Sequence, residues 1–254
     1  MTFFAGDEVS ALILDVGSSS VKAGYAGEDT PKAVFPSYVG VLHQRGEGEI
    51  GGGPMAIDEG EGSSMSLANE TKIRYFCGIN QLGRRDGMEM EPAMKHGLVH
   101  NWDALEKLWD HALCERLGMR PREHPVLLTE SSFNTKEIRE KYTEIFFEKY
   151  DVPAFFVAKD PVCSCFANGR STGLVLDIGA ELTSITPVHD GYALKKGITR
   201  SLLAGDKLSD EFLFQFTNKG QSVLPRYSVK RKVLPGGKVE IQDLDFPLTT
   251  ISYR

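Results

Sequence analysis

One eight-residue pattern occurs twice in this chain, and it restricts the fold more tightly than any other feature of the sequence. Leu12-Ile13-Leu14-Asp15-Val16-Gly17-Ser18-Ser19 is echoed by Leu174-Val175-Leu176-Asp177-Ile178-Gly179-Ala180-Glu181. In both copies three apolar residues lead to an aspartate, a further apolar residue and a glycine. The apolar run reads as a buried strand, and the glycine with its small neighbours reads as a tight turn. Val21 to Tyr25 resumes as a strand after the first turn, and a β-rich segment running to Asp190-Gly191-Tyr192 follows the second. The repeat predicts two β-hairpins of one design in one chain.

Such hairpins have a specific chemistry. A turn rich in Gly and Ser bares backbone N–H groups that can cradle phosphate oxygens. An aspartate ending the adjacent strand can hold a hydrated Mg²⁺ through water. Two turns facing each other across a cleft would clamp a nucleoside triphosphate from both sides, with Lys22 as a point charge for a phosphate. A single hairpin of this kind is more often structural than functional. From the pattern alone, nucleotide binding and a structural repeat both stand.

Between the two copies, strands alternate with helices. Ala33-Val34-Phe35 forms a third strand before Pro36. Asn101 opens a helix on which Leu105, Leu108, Trp109, Ala112 and Leu113 share a face, and Gly118 stands where a glycine stop belongs. Pro125 to Thr129 is a strand, and Asn134 or Thr135 caps a second helix whose inner face is Ile138, Tyr142, Ile145 and Phe146. Pro153 to Ala158 is a strand, and Pro161 to Asn168 a helix of small residues. This order predicts an α/β fold, a mixed β-sheet flanked by helices. His43 to Lys72 breaks the pattern with Gly, Glu, Ser and Asp, including Gly51-Gly52-Gly53. It cannot bury enough apolar surface to offset its ordering entropy and reads as a flexible insertion, spanning residues 37–73 at its widest.

Charge and composition narrow the function. The net charge of −6 argues against extensive, sequence-specific binding to nucleic acid, and leaves basic protein partners such as histones open. No apolar run approaches the roughly 20 residues that span a bilayer, so no membrane partner is expected, and Met1 to Glu8 has no signal-peptide character. Cys77, Cys114, Cys163 and Cys165 form no CxxC pair and read as free thiols. His96 and His124 lie beside glycine or proline turns and read as structural, and no nucleophile–base arrangement is visible. Lys230-Arg231-Lys232 reads as a solvated surface turn, with a localisation or acidic-partner patch as the other reading. Lys238 to Gln242 reads as a strand without a visible partner.

The motifs resemble those of a known family. Asp15 to Asp29, continuing through Pro31-Lys32-Ala33-Val34-Phe35-Pro36, is similar to the first phosphate loop and hairpin of actins. His96-Gly97-Leu98-Val99-His100-Asn101-Trp102-Asp103 and His124-Pro125-Val126-Leu127-Leu128-Thr129-Glu130 resemble further actin motifs in the same order. Gly6 to Ala11, Phe166 to Leu174 and Pro187 to Tyr192 resemble the nuclear actin-related subfamily of the actin-related protein 4 type more than conventional actin. The resemblance implies the two-lobed fold of the actin, hexokinase and heat-shock 70 superfamily. It implies a first lobe from residues 1–36 and 74–160 and the start of a second lobe at 161–254 that stops before the lobe is complete.

Carried over by position, Asp15, Gly17, Ser18, Ser19 and Lys22 would face the phosphates of ATP or ADP from one side, and Asp177 and Gly179 from the other. Asp15 and Asp177 would hold Mg²⁺ through water. Phe166, Gly169, Ser171 and Tyr192 match a groove that accepts partner helices, the competing view being that the two aromatics are core residues. The subfamily implies a nuclear, non-catalytic scaffold subunit of chromatin-remodelling and histone-acetyltransferase complexes. Such subunits pair with actin on the helicase-SANT-associated helix of a remodeller ATPase or on an acetyltransferase scaffold.

Two departures touch mechanism. Asp160 stands where conventional actin has a glutamine that positions the attacking water, and Ala180-Glu181 replaces Asp-Gly in the second loop. A carboxylate at either place adds repulsion toward phosphate and weakens the case for hydrolysis. An ATPase or kinase of the wider superfamily remains the competing reading. A filament-forming actin is disfavoured by the acidic insertion.

Overall fold

A computed structural model describes residues 10–44, 72–83, 85, 87–221, 223–224, 228–235, 237 and 239–244. The remaining residues, including most of the Gly/Glu-rich insertion, lie outside this description. Strands β1 (Leu12–Val16), β2 (Ser20–Tyr25) and β3 (Ala33–Pro36) form the expected meander. Strands β4 (Tyr38–Gln44), β5 (Lys72–Phe76) and β6 (Met88–Pro92) form a separate three-stranded sheet with β4 in the middle. Residues 38–44 and 72–73, at the two ends of the expected insertion, are therefore strand, and the stretch between them lies outside the described residues. Tyr38–Gln44 pairs antiparallel with β5 and β6, and Val39 and Val41 are buried beneath it. The short pair β7 (Met94–Lys95) and β8 (Leu98–Val99) turns through His96 and Gly97, both at positive φ.

Helix α1 (Trp102–Asp110) is capped by the Asn101 side chain, which accepts from the Ala104 N–H. It buries Ala104, Leu105, Leu108 and Trp109, then continues as a π-helical turn, His111–Arg116. Strand β9 (Val126–Glu130) leads to helix α2 (Lys136–Glu144), whose cap is Thr135, accepting from the Ile138 N–H. A second π-helical turn, Ile145–Lys149, extends it and carries Ile145 and Phe146 into the core. Strand β10 (Phe155–Lys159) then runs into helix α3 (Asp160–Ala167).

The first-lobe sheet has the order β10-β9-β1-β2-β3. Strands β1, β9 and β10 are parallel and the rest antiparallel, the mixed sheet that the sequence predicts. Leu12 pairs with Val126 and Leu14 with Leu128, and all four are buried. Their common face packs on an aromatic cluster. Trp109 meets Tyr142 and Phe146 at ring separations of 5.8 and 4.9 Å, and Phe146 stacks on Phe155 at 4.5 Å. The parallel strands end together at Asp15, Glu130 and Lys159, which places polar chemistry at one edge of a well-packed core.

The second lobe begins with β11 (Gly173–Ile178), β12 (Thr183–His189) and β13 (Tyr192–Ala193). Strand β14 (Thr199–Ser201) pairs with the other half of β12, and helix α4 (Gly205–Asn218) follows. Apolar side chains stand open in this lobe: Leu174, Leu176 and Ile178 on β11 are exposed, as are Leu208, Phe212 and Phe214 on α4. Strands β15 (Val229–Val233) and β16 (Val239–Asp243) form a hairpin. This corrects two sequence expectations. Lys230-Arg231-Lys232 is a strand rather than a turn, and it is the partner that the strand near Lys238–Gln242 lacked in sequence. The four cysteines are free, Cys77 and Cys165 buried and Cys114 exposed. Among the described residues, no helix is long and apolar enough to cross a membrane.

Trp109 is fully buried and its indole Nε1 has no hydrogen-bond partner. Trp109→Ala should cost about 3–5 kcal/mol in denaturant unfolding through cavity formation. Trp109→Phe removes the unpaired donor along with part of the ring and should cost clearly less. Equal losses in the two variants would remove the cluster from its place at the centre of the lobe.

Candidate functional site

The repeated sequence pattern is a repeated structure. In the first turn the Gly17 N–H donates to the Ser20 carbonyl at 3.0 Å, and in the second the Gly179 N–H donates to the Leu182 carbonyl at 2.9 Å. Each glycine N–H thus closes its own turn, so the amides left to meet a ligand are those of the residues that follow, Ser18 and Ser19 in the first turn. The glycines act by omission of a side chain. A Cβ on Gly179 would lie 3.1 Å from the Leu182 carbonyl oxygen. The second turn also rests on the start of α4, where the Gly205 and Asp206 N–H groups donate to the carbonyls of Gly179 and Ala180 at 3.0 and 2.7 Å.

The two turns face one cleft of about 470 Å³. Asp15, Gly17, Ser18, Ser19 and Lys22 line it from the first hairpin, and Asp177 and Gly179 from the second. All seven residues singled out in the sequence are brought together, although Asp15 and Asp177 are 162 positions apart. The ends of β9 and β10 form the floor, which supplies residues that the sequence reading did not select: Thr129, Glu130, Ser131, Asn134 and Cys163. The signal for them is topological. Ligands in open α/β sheets sit beyond the carboxyl ends of parallel strands, and Thr129-Glu130 ends β9 beside β1.

Asp15 is held from both sides. The Thr129 hydroxyl donates to one carboxylate oxygen at 2.6 Å, and Lys22 pairs with the other at 3.1 Å. Lys22 is therefore engaged by Asp15 rather than standing free. The pair is half exposed, where an ion pair contributes little, and it can open toward an arriving anion. Glu130 is buried at the end of β9. Burial alone would push its carboxyl up. Hydrogen bonds from Arg139 and Asn134 and the charge of Lys159 outweigh that, holding it below the usual carboxylate value. Lys159 donates to Glu130 and to the Ser132 carbonyl, each at 3.1 Å.

Asp160 has the opposite fate. It is the first residue of α3, one carboxylate oxygen is buried with no hydrogen-bond partner, and it lines the cleft. Burial, then the charges of Asp177 and Asp15, push it up to about 7, with Lys159 opposing. Glu181 does not turn to solvent. Its carboxylate crosses to the first lobe and accepts from the His96 N–H at 2.6 Å. The lobes also meet where Ser132 and Thr186 share a buried hydroxyl hydrogen bond of 2.8 Å.

The residues matched to the partner groove form a surface, not a core. Among the described residues Phe166 is 57% exposed and Tyr192 77% exposed. They are neighbours through Gly191, where an added Cβ would lie 2.9 Å from the Phe166 ring. The Gly191 N–H donates to the Ser171 carbonyl at 2.8 Å, and Gly169 closes α3 at positive φ.

Two hairpins of one design, each ending a strand in aspartate and facing across one cleft, place the protein in the class of two-lobed actin-like folds. The chain belongs to the actin family: a sequence model of that family, Actin, matches residues 6–254. It is similar to Actin-related protein 4 of Oryza sativa subsp. japonica, 45% identical over 260 residues, covering 99% of this chain and 58% of that protein. Actin-related protein 4 of Arabidopsis thaliana is 43% identical over 254 residues, with the same coverage. That of Yarrowia lipolytica is 37% identical over 231 residues, covering 90% of this chain and 50% of the relative. The chain thus spans less than two thirds of the length of these relatives.

Asp160 generates a pH prediction. A carboxyl raised in the folded state stabilises that state while protonated, below its ordinary value of 3.8, and the contribution is lost as pH rises through about 7. In metal-chelated protein, Asp160→Asn should raise the melting temperature more at pH 8 than at pH 5. An equal shift at both would mean that the Asp160 carboxylate is not electrostatically disfavoured.

Proposed function

We propose that this chain belongs to a non-catalytic, actin-like scaffold subunit of nuclear chromatin-remodelling and histone-acetyltransferase complexes, with a nucleotide held as a structural element. The observation that carries this reading is the aromatic surface of Phe166 and Tyr192. Two large rings stand exposed beside a glycine turn. Clustered exposed aromatics of this kind anchor partner helices. The similarity to Actin-related protein 4 of plants and yeast supports the same reading. The partners are actin and a helix of the large remodeller ATPase or acetyltransferase scaffold, with histones as further basic partners for an acidic chain.

The cleft suits a nucleotide with Mg²⁺. Its residues present backbone amides at Ser18 and Ser19 and carboxylates at Asp15 and Asp177. Among the described residues, no three His, Cys, Asp or Glu are grouped to ligate a metal directly. Asp15 and Asp177 would therefore hold the ion through water, the manner Mg²⁺ favours beside phosphates. The ion, when bound, supplies neutralisation of phosphate charge. Gly17 and Gly179 keep side chains out of the path, and Lys22 exchanges its Asp15 partner for an anion. A nucleotide spanning both turns ties the two lobes together.

One observation favours the alternative of an active ATPase or kinase. A carboxyl lifted to about 7 has the strength of a general base at neutral pH, and Asp160 lines the cleft. The two readings separate in one experiment. Full-length protein captured from nuclear extract should bring down actin and a remodeller or acetyltransferase subunit. The double variant Phe166→Ala, Tyr192→Ala should fold normally and lose the large subunit by at least about tenfold, as removal of anchor residues implies. Capture of neither partner, with steady ATP turnover by the purified protein, would replace the scaffold reading by the catalytic one.

A further inference from the structure

The cleft contains an anion of its own, and its position bears on which nucleotide it accepts. The Glu181 carboxylate lines the cleft beside Gly179 and Ala180 and is bonded to the His96 N–H at 2.6 Å. His96 lies in the β7–β8 turn at positive φ, outside the β-ladder, and its N–H donates to a side chain rather than to a strand. That side chain is Glu181. The backbone that carries Glu181 is held on both sides. The Asp206 N–H binds the Ala180 carbonyl at 2.7 Å, and the Leu182 side chain packs 3.5 Å from where a Gly97 Cβ would lie.

The carboxylates of the cleft differ in how they are compensated. Glu130 is answered by Arg139 and Lys159, and Asp15 by Lys22. Among the described residues, no cation lies at ion-pair distance from Asp160, Asp177 or Glu181, and of these Asp160 has one oxygen buried without a partner. Asp177 is the residue matched to the ion. Glu181 then remains as a negative charge facing the ligand with only an amide dipole against it. Its repulsion grows with the charge the ligand brings, and a triphosphate brings one unit more than a diphosphate.

We infer that Glu181 is a specificity-determining residue that selects a nucleoside diphosphate over a triphosphate. The inference rests on the nucleotide reading above. It does not concern catalysis, and its readout is affinity. The decisive substitution is Glu181→Gln, which keeps an oxygen to accept from the His96 N–H and removes only the charge.

The full-length chain, Glu181→Gln and Glu181→Ala would each be titrated calorimetrically with Mg-ADP and with Mg-ATP. The unmodified protein should bind ADP roughly tenfold more tightly than ATP, the scale of one unit charge at a few ångströms. Glu181→Gln should bring the two within about twofold, by gaining affinity for ATP with little change for ADP and an unchanged ligand-free melting temperature. Glu181→Ala should show the same selectivity with a lower melting temperature, because the His96 amide loses its acceptor. A ratio identical in all three proteins, or a preference for ATP in the unmodified chain, overturns the inference and leaves nucleotide binding intact. Binding of neither nucleotide to the unmodified chain overturns the nucleotide reading and this inference with it.

Discussion

The buried carboxylate of Glu130 organises the cleft. A charge at this depth is tolerable only with close cations and complete hydrogen bonding, and it obtains both from three directions. Arg139 reaches it from α2, Lys159 from the end of β10, and Asn134 from the loop between β9 and α2. These contacts fix the carboxyl ends of two parallel strands and the start of the helix behind them. Thr129, one residue earlier, holds Asp15 on the neighbouring strand at 2.6 Å. Loss of the Glu130 carboxylate would leave Lys159 and Arg139 without their anion at the edge of the cleft. The network is thus as much about where the positive charges are kept as about stability.

The second lobe is attached to this edge by few but well-placed contacts. Ser132, whose carbonyl also accepts from Lys159, shares its hydroxyl with Thr186 on β12. The Arg200 guanidinium lies 4.5 Å over the Phe133 ring, and Glu181 reaches the His96 amide. Every one of these contacts involves residues 131–133 or the β7–β8 turn, so the segment that follows Glu130 is the seam between the lobes. Only one of the contacts is a fully buried hydrogen bond. A ligand that touches both hairpins therefore adds substantially to what holds the lobes together, as expected of a structural nucleotide.

Much of this was written in the sequence where the signal is local. The two hairpins are legible because strand, aspartate and glycine turn lie within eight residues, and each glycine makes the same bond in its turn. The helix starts are legible because Asn101 and Thr135 cap with their own side chains. Distant partners were not legible. Glu130 and Lys159 are 29 positions apart and Asp15 and Thr129 are 114 apart, and no periodicity connects them. The insertion was drawn too wide because Tyr38–Gln44 is recognisable as a strand only once Lys72–Phe76 and Met88–Pro92 pair with it. The basic run at 230–232 hid a strand because β15 and β16 are exposed on nearly every residue, so neither shows the alternation that burial on one face imposes.

Three carboxylates around one cleft are handled in three ways, and the differences decide what the cleft can hold. Glu130 is compensated by cations and stays charged. Asp160 lacks a partner for one oxygen and faces Asp15 and Asp177, so near neutral pH it relieves the repulsion by keeping a proton. Glu181 accepts from the His96 amide across the lobe boundary. A cation bound between Asp15 and Asp177 would relieve Asp160 as well, since those two charges, after burial itself, are what raise it. A cation bound there and a proton on Asp160 would be alternative answers to the same excess of negative charge. Glu181 stands apart from that pair: among the described residues no cation lies at ion-pair distance from it, and what it meets is the His96 amide.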